Sequence, residues 1–226
     1  MVHIVEHVDD RVRVERVLVS VSDKRDLETL IPGLLAINPK TQFLSTGGTY
    51  ARLTEILGPD KARDHLTPVS AYTGQPETQG GLVKTLDFKI YLGLLTETHN
   101  PAHQGDLART GALPIDMVVV NLYPFAATVA GQGITVEEAR ANIDIGGPCM
   151  LRAAAKNYLR VVPVVDPGDY PTLLAELAAW DGALDLAARF RYARKAFAHT
   201  AAYDAAITAY LESQDPAAVP DVYTMV

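Results

Sequence analysis

The chain opens with two strand-like segments, and each of them leads through a polar turn into a helix-like segment. Residues 17–21 and 42–44 are short apolar runs of the kind found in buried parallel strands. Each run is followed by apolar residues at helical spacing, in residues 27–34 and 50–57. Parallel strands need a crossover connection, which is usually a helix. The repeated order of strand, turn and helix therefore predicts a doubly wound α/β fold, with a mostly parallel sheet and helices on both faces.

Later segments continue this alternation. Further strands are predicted at residues 90–95, 115–120 and 161–165, and further helices at 104–110, 135–141, 149–156 and 170–179. A loop rich in Pro, Gly and Thr is expected at 67–88, and Pro32-Gly33 is expected to break or kink the first helix. The Ala-rich helical pattern at 184–211 is long enough to suggest an interface helix. An extended tail is expected at 213–226.

Composition limits the classes of protein to which the chain can belong. With 226 residues, 48% of them hydrophobic, the chain can bury a sizeable core. We expect one domain over residues 1–226, with its core at about 14–180 and C-terminal helices at about 184–212. The net charge of −7 argues against a nucleic-acid surface. The absence of a long apolar run and of a signal-peptide pattern predicts a cytoplasmic protein with no membrane contact. The single cysteine and the spacing of the six histidines predict no metal site, and no cofactor is predicted.

The two polar turns are candidates for binding an anion. Free backbone N–H groups and the helix dipole both favour a phosphate at the start of a helix. The turn at residues 45–49 reads Ser-Thr-Gly-Gly-Thr, and the one at 20–24 reads Ser-Val-Ser-Asp-Lys, in which Ser22 and Asp23 can also cap the following helix. Neither turn matches a P-loop or a G-x-G-x-x-G motif. These residues alone are explained more simply without anion binding. The two turns would then be ordinary strand-to-helix turns, and Lys24 would be a solvent-exposed surface residue.

A third turn lies in residues 142–157, which read Asn-Ile-Asp-Ile-Gly-Gly-Pro-Cys-Met-Leu-Arg-Ala-Ala-Ala-Lys-Asn. Pro148 suits the first turn of the predicted helix, because its missing N–H would have no partner there. This arrangement puts the carboxylate of Asp144 beside free helix N–H groups and Lys156 at the far end of the same helix. Taken alone, Asp144 could be a plain helix cap, and Tyr123, just beyond a predicted strand, could be a core aromatic residue.

Five segments, taken together and in order, resemble the IMP cyclohydrolase family, which is the amino-terminal half of the bifunctional purine-biosynthesis enzyme. They are residues 20–24, 45–49, 83–86 (Val-Lys-Thr-Leu), 121–125 (Asn-Leu-Tyr-Pro-Phe) and 142–157. The resemblance covers residues 16–210. It implies the methylglyoxal-synthase-like version of the doubly wound fold.

The resemblance also implies a reaction and a set of site residues. In this reaction the formylated aminoimidazole carboxamide ribonucleotide (FAICAR) closes its pyrimidine ring to give IMP. The carboxamide nitrogen attacks the formyl carbon, and water leaves. Lys156 is implied to transfer protons at the formyl group, with Asp144 holding it or orienting the attacking amide. Lys84 and Tyr123 are implied to support the developing charge. The resemblance implies that the substrate is bound by Ser22, Asp23, Lys24, Thr46, Gly47, Gly48, Thr49, Thr85, Asn121, Ile145 and Gly146. Of these residues, Asn121 and Gly146 are implied to contact the base.

Members of this family associate through this half of the enzyme. The resemblance therefore implies a homodimer, built partly on the helix predicted at residues 184–211. A separate formyltransferase is a second candidate partner.

One segment departs from the family pattern, which is Gly-Arg-Val-Lys-Thr-Leu-His-Pro. Residues 81–88 read Gly-Leu-Val-Lys-Thr-Leu-Asp-Phe, so Leu82 and Asp87 replace a cation and an imidazole. This departure motivates a first alternative, a cyclohydrolase redirected to a related carboxamide nucleotide, for instance in nucleoside-antibiotic biosynthesis. A second alternative, from another class, is a module that binds a nucleotide or assembles with partners but catalyses nothing.

Overall fold

A computed structural model of the protein describes residues 4–76, 84–131 and 133–225. The strands within these ranges are β1 Arg11–Arg13, β2 Arg16–Val21, β3 Gln42–Ser45, β4 Leu66–Pro68, β5 Met117–Asn121, β6 Val162–Val164 and β7 Ala183–Asp185. The helices are α1 Leu27–Ile37, α2 Gly47–His65, α3 Val69–Thr73, α4 Phe88–Leu95, α5 Pro101–Thr110, α6 Phe125–Val129, α7 Val136–Ala141, α8 Gly146–Lys156, α9 Tyr170–Ala179 and α10 Leu186–Glu212. None of these helices is long and apolar enough to cross a membrane.

The central element is a five-stranded sheet in the order β4-β3-β2-β5-β6, with every neighbouring pair parallel. The chain starts in the middle, at β2, winds outward to β4, and then returns to β5 on the other side of β2. A crevice therefore opens between the carboxyl ends of β2 and β5, where ligands bind in sheets of this kind. The doubly wound α/β prediction is confirmed.

Residues of the strands alternate between two buried clusters. Val17 and Val19 of β2 belong to a cluster covered by α1, α2 and α9, whereas Leu18 of the same strand belongs to one covered by α4, α8 and α10. A strand buried on both faces reads as a continuous apolar run, which is why residues 17–21 show no polar alternation.

Residues 90–95 are helical, so the strand predicted there is wrong. They lie in α4, which packs against α8. The carboxylate of Asp87 starts this helix, because it accepts the backbone N–H of Lys89 at 2.7 Å. A short apolar run fits a buried helix and a buried strand equally well, and here tertiary packing decides between them.

Two local predictions about the first helix are also wrong. The chain remains helical through Pro32 and Gly33, where the glycine lets Leu174 of α9 approach to within 3 Å of the position that a Cβ would occupy. Ser22 and Asp23 do not cap α1, which starts four residues later after Asp26.

The loop expected at residues 67–88 contains structure that the sequence analysis missed. Most of β4 and all of α3 lie within it, while residues 77–83 lie outside the described part of the chain. The tail expected to be extended at 213–226 instead contains turns and a 3₁₀ turn at Val219–Val222.

Arg189 of α10 joins the small antiparallel sheet of β1 and β7 to the rest of the molecule. Its side chain is fully buried and donates hydrogen bonds to backbone carbonyls. The acceptors are Asp9, Asp10, Tyr158, Leu159 and Leu184. One guanidinium thus satisfies carbonyls from three separate segments.

We expect Arg189→Met to lower the free energy of unfolding by at least about 3 kcal/mol, because several buried carbonyls lose a charged donor. For a chain of this size, that corresponds to a fall in Tm of about 6–12 °C in differential scanning calorimetry. The control is Arg191→Met, since Arg191 is exposed and pairs with Glu176 at the surface. Equal, small shifts for both variants would contradict a structural role for Arg189.

Candidate active site

A cavity of about 370 Å³ lies at the carboxyl edge of the sheet, in the crevice between β2 and β5. Its volume falls within the range of small-molecule sites. Most of the site residues predicted from the sequence line it: Ser22, Lys24, Thr46, Gly47, Gly48, Thr49, Lys84, Thr85, Asn121, Tyr123, Asp144, Ile145 and Gly146. Segments far apart in sequence thus converge on one cavity, although the function of each residue stays a prediction.

Two lysines flank the glycine turn at the start of α2. A Cβ on Gly47 would lie 3.3 Å from the ammonium nitrogen of Lys84, and one on Gly48 would lie 4.0 Å from that of Lys24. Gly47 also has a positive φ of 49°, which favours glycine at this position. The N-terminus of α2 and two ammonium groups therefore meet at one end of the cavity, which makes this end suited to a phosphate.

The start of α8 forms another wall of the cavity. The helix begins at Gly146, three residues earlier than predicted, and Ile145 precedes it with its side chain exposed. No acceptor from the described residues bonds the N–H of Ile145 or Gly146. The hydroxyl oxygen of Thr85 lies 2.8 Å from the position of a Cβ on Gly146, so only glycine fits there without a shift.

Asp144 lies at the same wall, held by backbone hydrogen bonds. Its carboxylate accepts the N–H of Gly147 at 2.9 Å. Burial raises the pKa of the Asp144 carboxyl above its ordinary value, against the opposing effect of bonds from the backbone of Gly147 and Tyr123. Tyr123 leaves 54% of its surface exposed, so it is a wall residue of the cavity and not a core aromatic residue. A carboxyl with a raised pKa beside an open cavity is a candidate for proton transfer.

Four predicted binding residues have side chains that are already bonded within the protein, and one of them, Lys24, donates only one long bond, to the carbonyl of Ser22 at 3.4 Å. The amide oxygen of Asn121 accepts the N–H groups of Ser22 and Asp23 at 2.7 and 2.8 Å, so this side chain braces the turn after β2. The hydroxyl of Thr49 both donates to and accepts from the backbone of Val21. The carboxylate of Asp23 bonds Arg25, which lowers its pKa, and Asp23 is not among the residues that line this cavity.

Lys156 does not reach the cavity of its own chain. It is the last residue of α8 and is exposed, whereas the first residues of that helix line the cavity. Eleven helical residues span about 15 Å, which exceeds the reach of a lysine side chain. The geometry of the single chain therefore does not bring Lys156 together with Asp144.

Of the two positions that depart from the family pattern, the structure describes only Asp87. Leu82 lies outside the described residues. Asp87 is 8% exposed, and its carboxylate caps α4. The carboxylate of Asp87 thus serves the start of α4, and Asp87 is not among the residues that line the cavity.

Sequence reasoning missed some residues of the site. Ser20, Leu86, Ile143, Gly147 and Met150 also line the cavity, and each lies within a few residues of a predicted position. Tyr203 of α10, whose hydroxyl bonds the backbone of Asp144, carries no local signal because it lies 59 residues further along the chain. Among the described residues, no group of His, Cys, Asp or Glu side chains is placed to hold a metal ion.

Two family models match the chain. The model of the MGS-like domain matches residues 32–149, and that of the AICARFT/IMPCHase bienzyme matches residues 154–226. Together they include three of the five predicted site segments whole, the segment 142–157 except for residues 150–153, and α10.

Individual proteins extend this similarity. The chain is 50% identical over 217 residues to the bifunctional purine biosynthesis protein PurH of Magnetococcus marinus, covering 94% of this chain and 39% of that protein. It is 46% identical to PurH of Lactiplantibacillus plantarum over 89% of this chain and 38% of that protein. The crystal structure of ForH superimposes with a TM-score of 0.72 at 33% identity, covering 86% of this chain and 95% of that one. The chain thus spans about two fifths of the length of these curated relatives.

Proposed function

Because this chain belongs to the family of MGS-like domains found in AICARFT/IMPCHase bienzymes, we propose that it is an IMP cyclohydrolase. Its substrate in this proposal is FAICAR, and its product is IMP. The observation that carries the proposal is a single cavity with two different ends. Lys24 and Lys84 meet the start of α2 at one end, and Asp144 meets the start of α8 at the other.

The reaction needs an activated amide and a stabilised oxyanion. The carboxamide nitrogen forms a bond to the formyl carbon, and the formyl oxygen leaves as water. That water takes one proton from the carboxamide nitrogen and one from the formamide nitrogen, so atoms balance without a co-reactant. An amide is a poor nucleophile, so the protein contributes orientation, proton transfer and charge stabilisation.

The residues of the cavity fit these three tasks. With the phosphate against Lys24 and the Gly47-Gly48 turn, the base extends towards the start of α8. The N–H groups of Ile145 and Gly146, which have no acceptor among the described residues, are donors for the developing oxyanion. Asp144, with its raised pKa, accepts the proton of the attacking amide.

Lys156 can take part only if a second copy of the chain supplies it. We therefore propose a homodimer in which Lys156 of one protomer reaches the cavity of its partner. An exposed face formed by α8 and α10 supports this arrangement. Phe190 and Phe197 are 47% and 40% exposed there, and the guanidinium of Arg152 lies 5.5 Å from the centre of the Phe197 ring. Exposed aromatic side chains beside arginine are typical of protein interfaces.

The phosphate end of the cavity makes a prediction about binding. We expect Lys24→Ala to weaken IMP binding about 10- to 100-fold in calorimetry, because a charged hydrogen bond to the phosphate is lost. The variant should leave binding of inosine, which has no phosphate, unchanged. Lys61→Ala is the control, since Lys61 is an exposed residue of α2 outside the cavity. If IMP and inosine bind the wild-type chain equally well, the phosphate site is wrong.

A ring-closure assay separates the proposal from its alternatives. A cyclohydrolase converts FAICAR to IMP, whereas a nucleotide-binding module binds IMP without turnover. A cyclohydrolase that acts on a related carboxamide nucleotide remains an alternative. Asp87 no longer favours this alternative, because the carboxylate of Asp87 caps α4.

A further inference from the structure

Tyr203 of α10 bonds the backbone that carries Asp144. Its side chain is buried, and its hydroxyl oxygen accepts the N–H of Asp144 at 2.8 Å. The same hydroxyl donates to the carbonyl of Asn142 at 3.5 Å. Both partners lie in the turn between α7 and α8, and this side chain ties that turn to α10. The hydroxyl thus bonds this turn although Tyr203 is not among the residues that line the cavity.

The ring of Tyr203 contacts a second segment of the site. It packs edge-on against Phe125, with ring centroids 6.2 Å apart. Phe125 starts α6, and its N–H donates to the carbonyl of Tyr123 at 2.8 Å. The side chain of Tyr203 therefore links the segment that carries Tyr123 with the segment that carries Asp144. Tyr123 and Asp144 both line the cavity, where Asp144 meets the start of α8.

We propose that Tyr203 is a positioning residue for ring closure. Tyr203 does not line the cavity, but it sets the direction of the Asp144 carboxylate and of the Ile145 and Gly146 N–H groups that follow Asp144. This inference rests on the proposed function, since it assigns Tyr203 to the same reaction. A displacement of about 1 Å in such groups is enough to slow catalysis strongly.

Tyr210 provides a matched comparison on the same helix. It also packs edge-on against Phe125, with centroids 5.9 Å apart. Its hydroxyl is buried but has no hydrogen-bond partner among the described residues. A variant that removes either hydroxyl keeps the ring that fills the core. Only the variant at Tyr203 leaves the Asp144 N–H without its acceptor.

The test compares Tyr203→Phe with Tyr210→Phe in the full chain. We expect Tyr203→Phe to lower kcat about 5- to 100-fold, the range for losing one buried hydrogen bond. KM for FAICAR and the Kd for IMP should stay within about twofold of the wild type, because the phosphate site is untouched. Amide exchange followed by NMR should be faster at Asp144 in this variant. Tyr210→Phe should match the wild type in kcat, KM and exchange.

Two readouts decide the proposal. It is overturned if either kcat or the exchange rate of the Asp144 amide is the same in both variants. A fall in Tm without a fall in kcat would make Tyr203 purely structural and would also overturn it. If the wild-type chain turns over no FAICAR, the proposed function fails, and the exchange rates alone then decide whether Tyr203 holds the turn.

Discussion

Asp144→Asn is expected to lower kcat for ring closure by about 10²–10⁴-fold while changing IMP affinity little, because a proton acceptor acts mainly in the transition state. Asparagine keeps the size of the side chain and can still accept the Gly147 N–H, so the turn should remain folded. The exposed residue Asp60 of α2 provides the control variant Asp60→Asn, which should retain wild-type rates.

The pH profile gives an independent reading of the same residue. Burial raises the pKa of Asp144, and a proton acceptor works only in its ionised form. The rate should therefore fall as the pH drops through this raised pKa, at a pH above the ordinary value of about 4 for an aspartate. In Asp144→Asn this acid limb should be absent. If Asp144→Asn keeps more than a third of the wild-type kcat, or shows the same fall in rate at low pH, Asp144 is not the proton acceptor.

Lys156→Ala is expected to lower kcat by a similar factor of about 10²–10⁴, although this lysine lies far from the cavity of its own chain. The two variants should complement each other when mixed. A dimer of one Lys156→Ala chain and one Asp144→Asn chain contains one site with an intact cavity and a lysine from the partner.

The expected rate of the mixture follows from counting sites. Random exchange of subunits makes half of the dimers mixed, each with one complete site of two, so about a quarter of the wild-type activity should return. Sedimentation first establishes the dimer and the exchange. A monomer at all accessible concentrations, or a mixture as inactive as its components, would rule out a lysine supplied by the partner.

The parts of the fold that follow from local pattern were predictable from the sequence. The helix predicted at 135–141 is α7, and Thr135 and Glu138 form a capping box at its start, with each side chain bonded to the backbone of the other residue. The helix at 170–179 has the predicted bounds. The strand predicted at 90–95 failed because a run of that length does not distinguish a buried helix from a buried strand.

The parts of the site that depend on distant contacts were not predictable. Asn121 lines the cavity, and its contact with the base stays a prediction; its amide oxygen also braces a turn 99 residues earlier, because β2 and β5 are neighbours in the sheet. No spacing within the sequence reveals that pairing. The position of Lys156 is a different case. A rise of about 1.5 Å per residue already separates the two ends of α8, so helix geometry alone predicts that Lys156 lies away from Asp144.

The most direct test of the proposed function is turnover of FAICAR by the purified chain, followed as the change in absorbance when the second ring closes and verified by chromatographic identification of IMP. Asp144→Asn serves as a folded blank for uncatalysed cyclisation, and calorimetry with IMP verifies that both proteins still bind the product. We predict saturable formation of IMP by the wild-type chain, at least about 10²-fold faster than with the blank. A wild-type rate equal to that of the blank, with IMP bound by both proteins, would contradict the assignment as a cyclohydrolase and leave a nucleotide-binding module in its place.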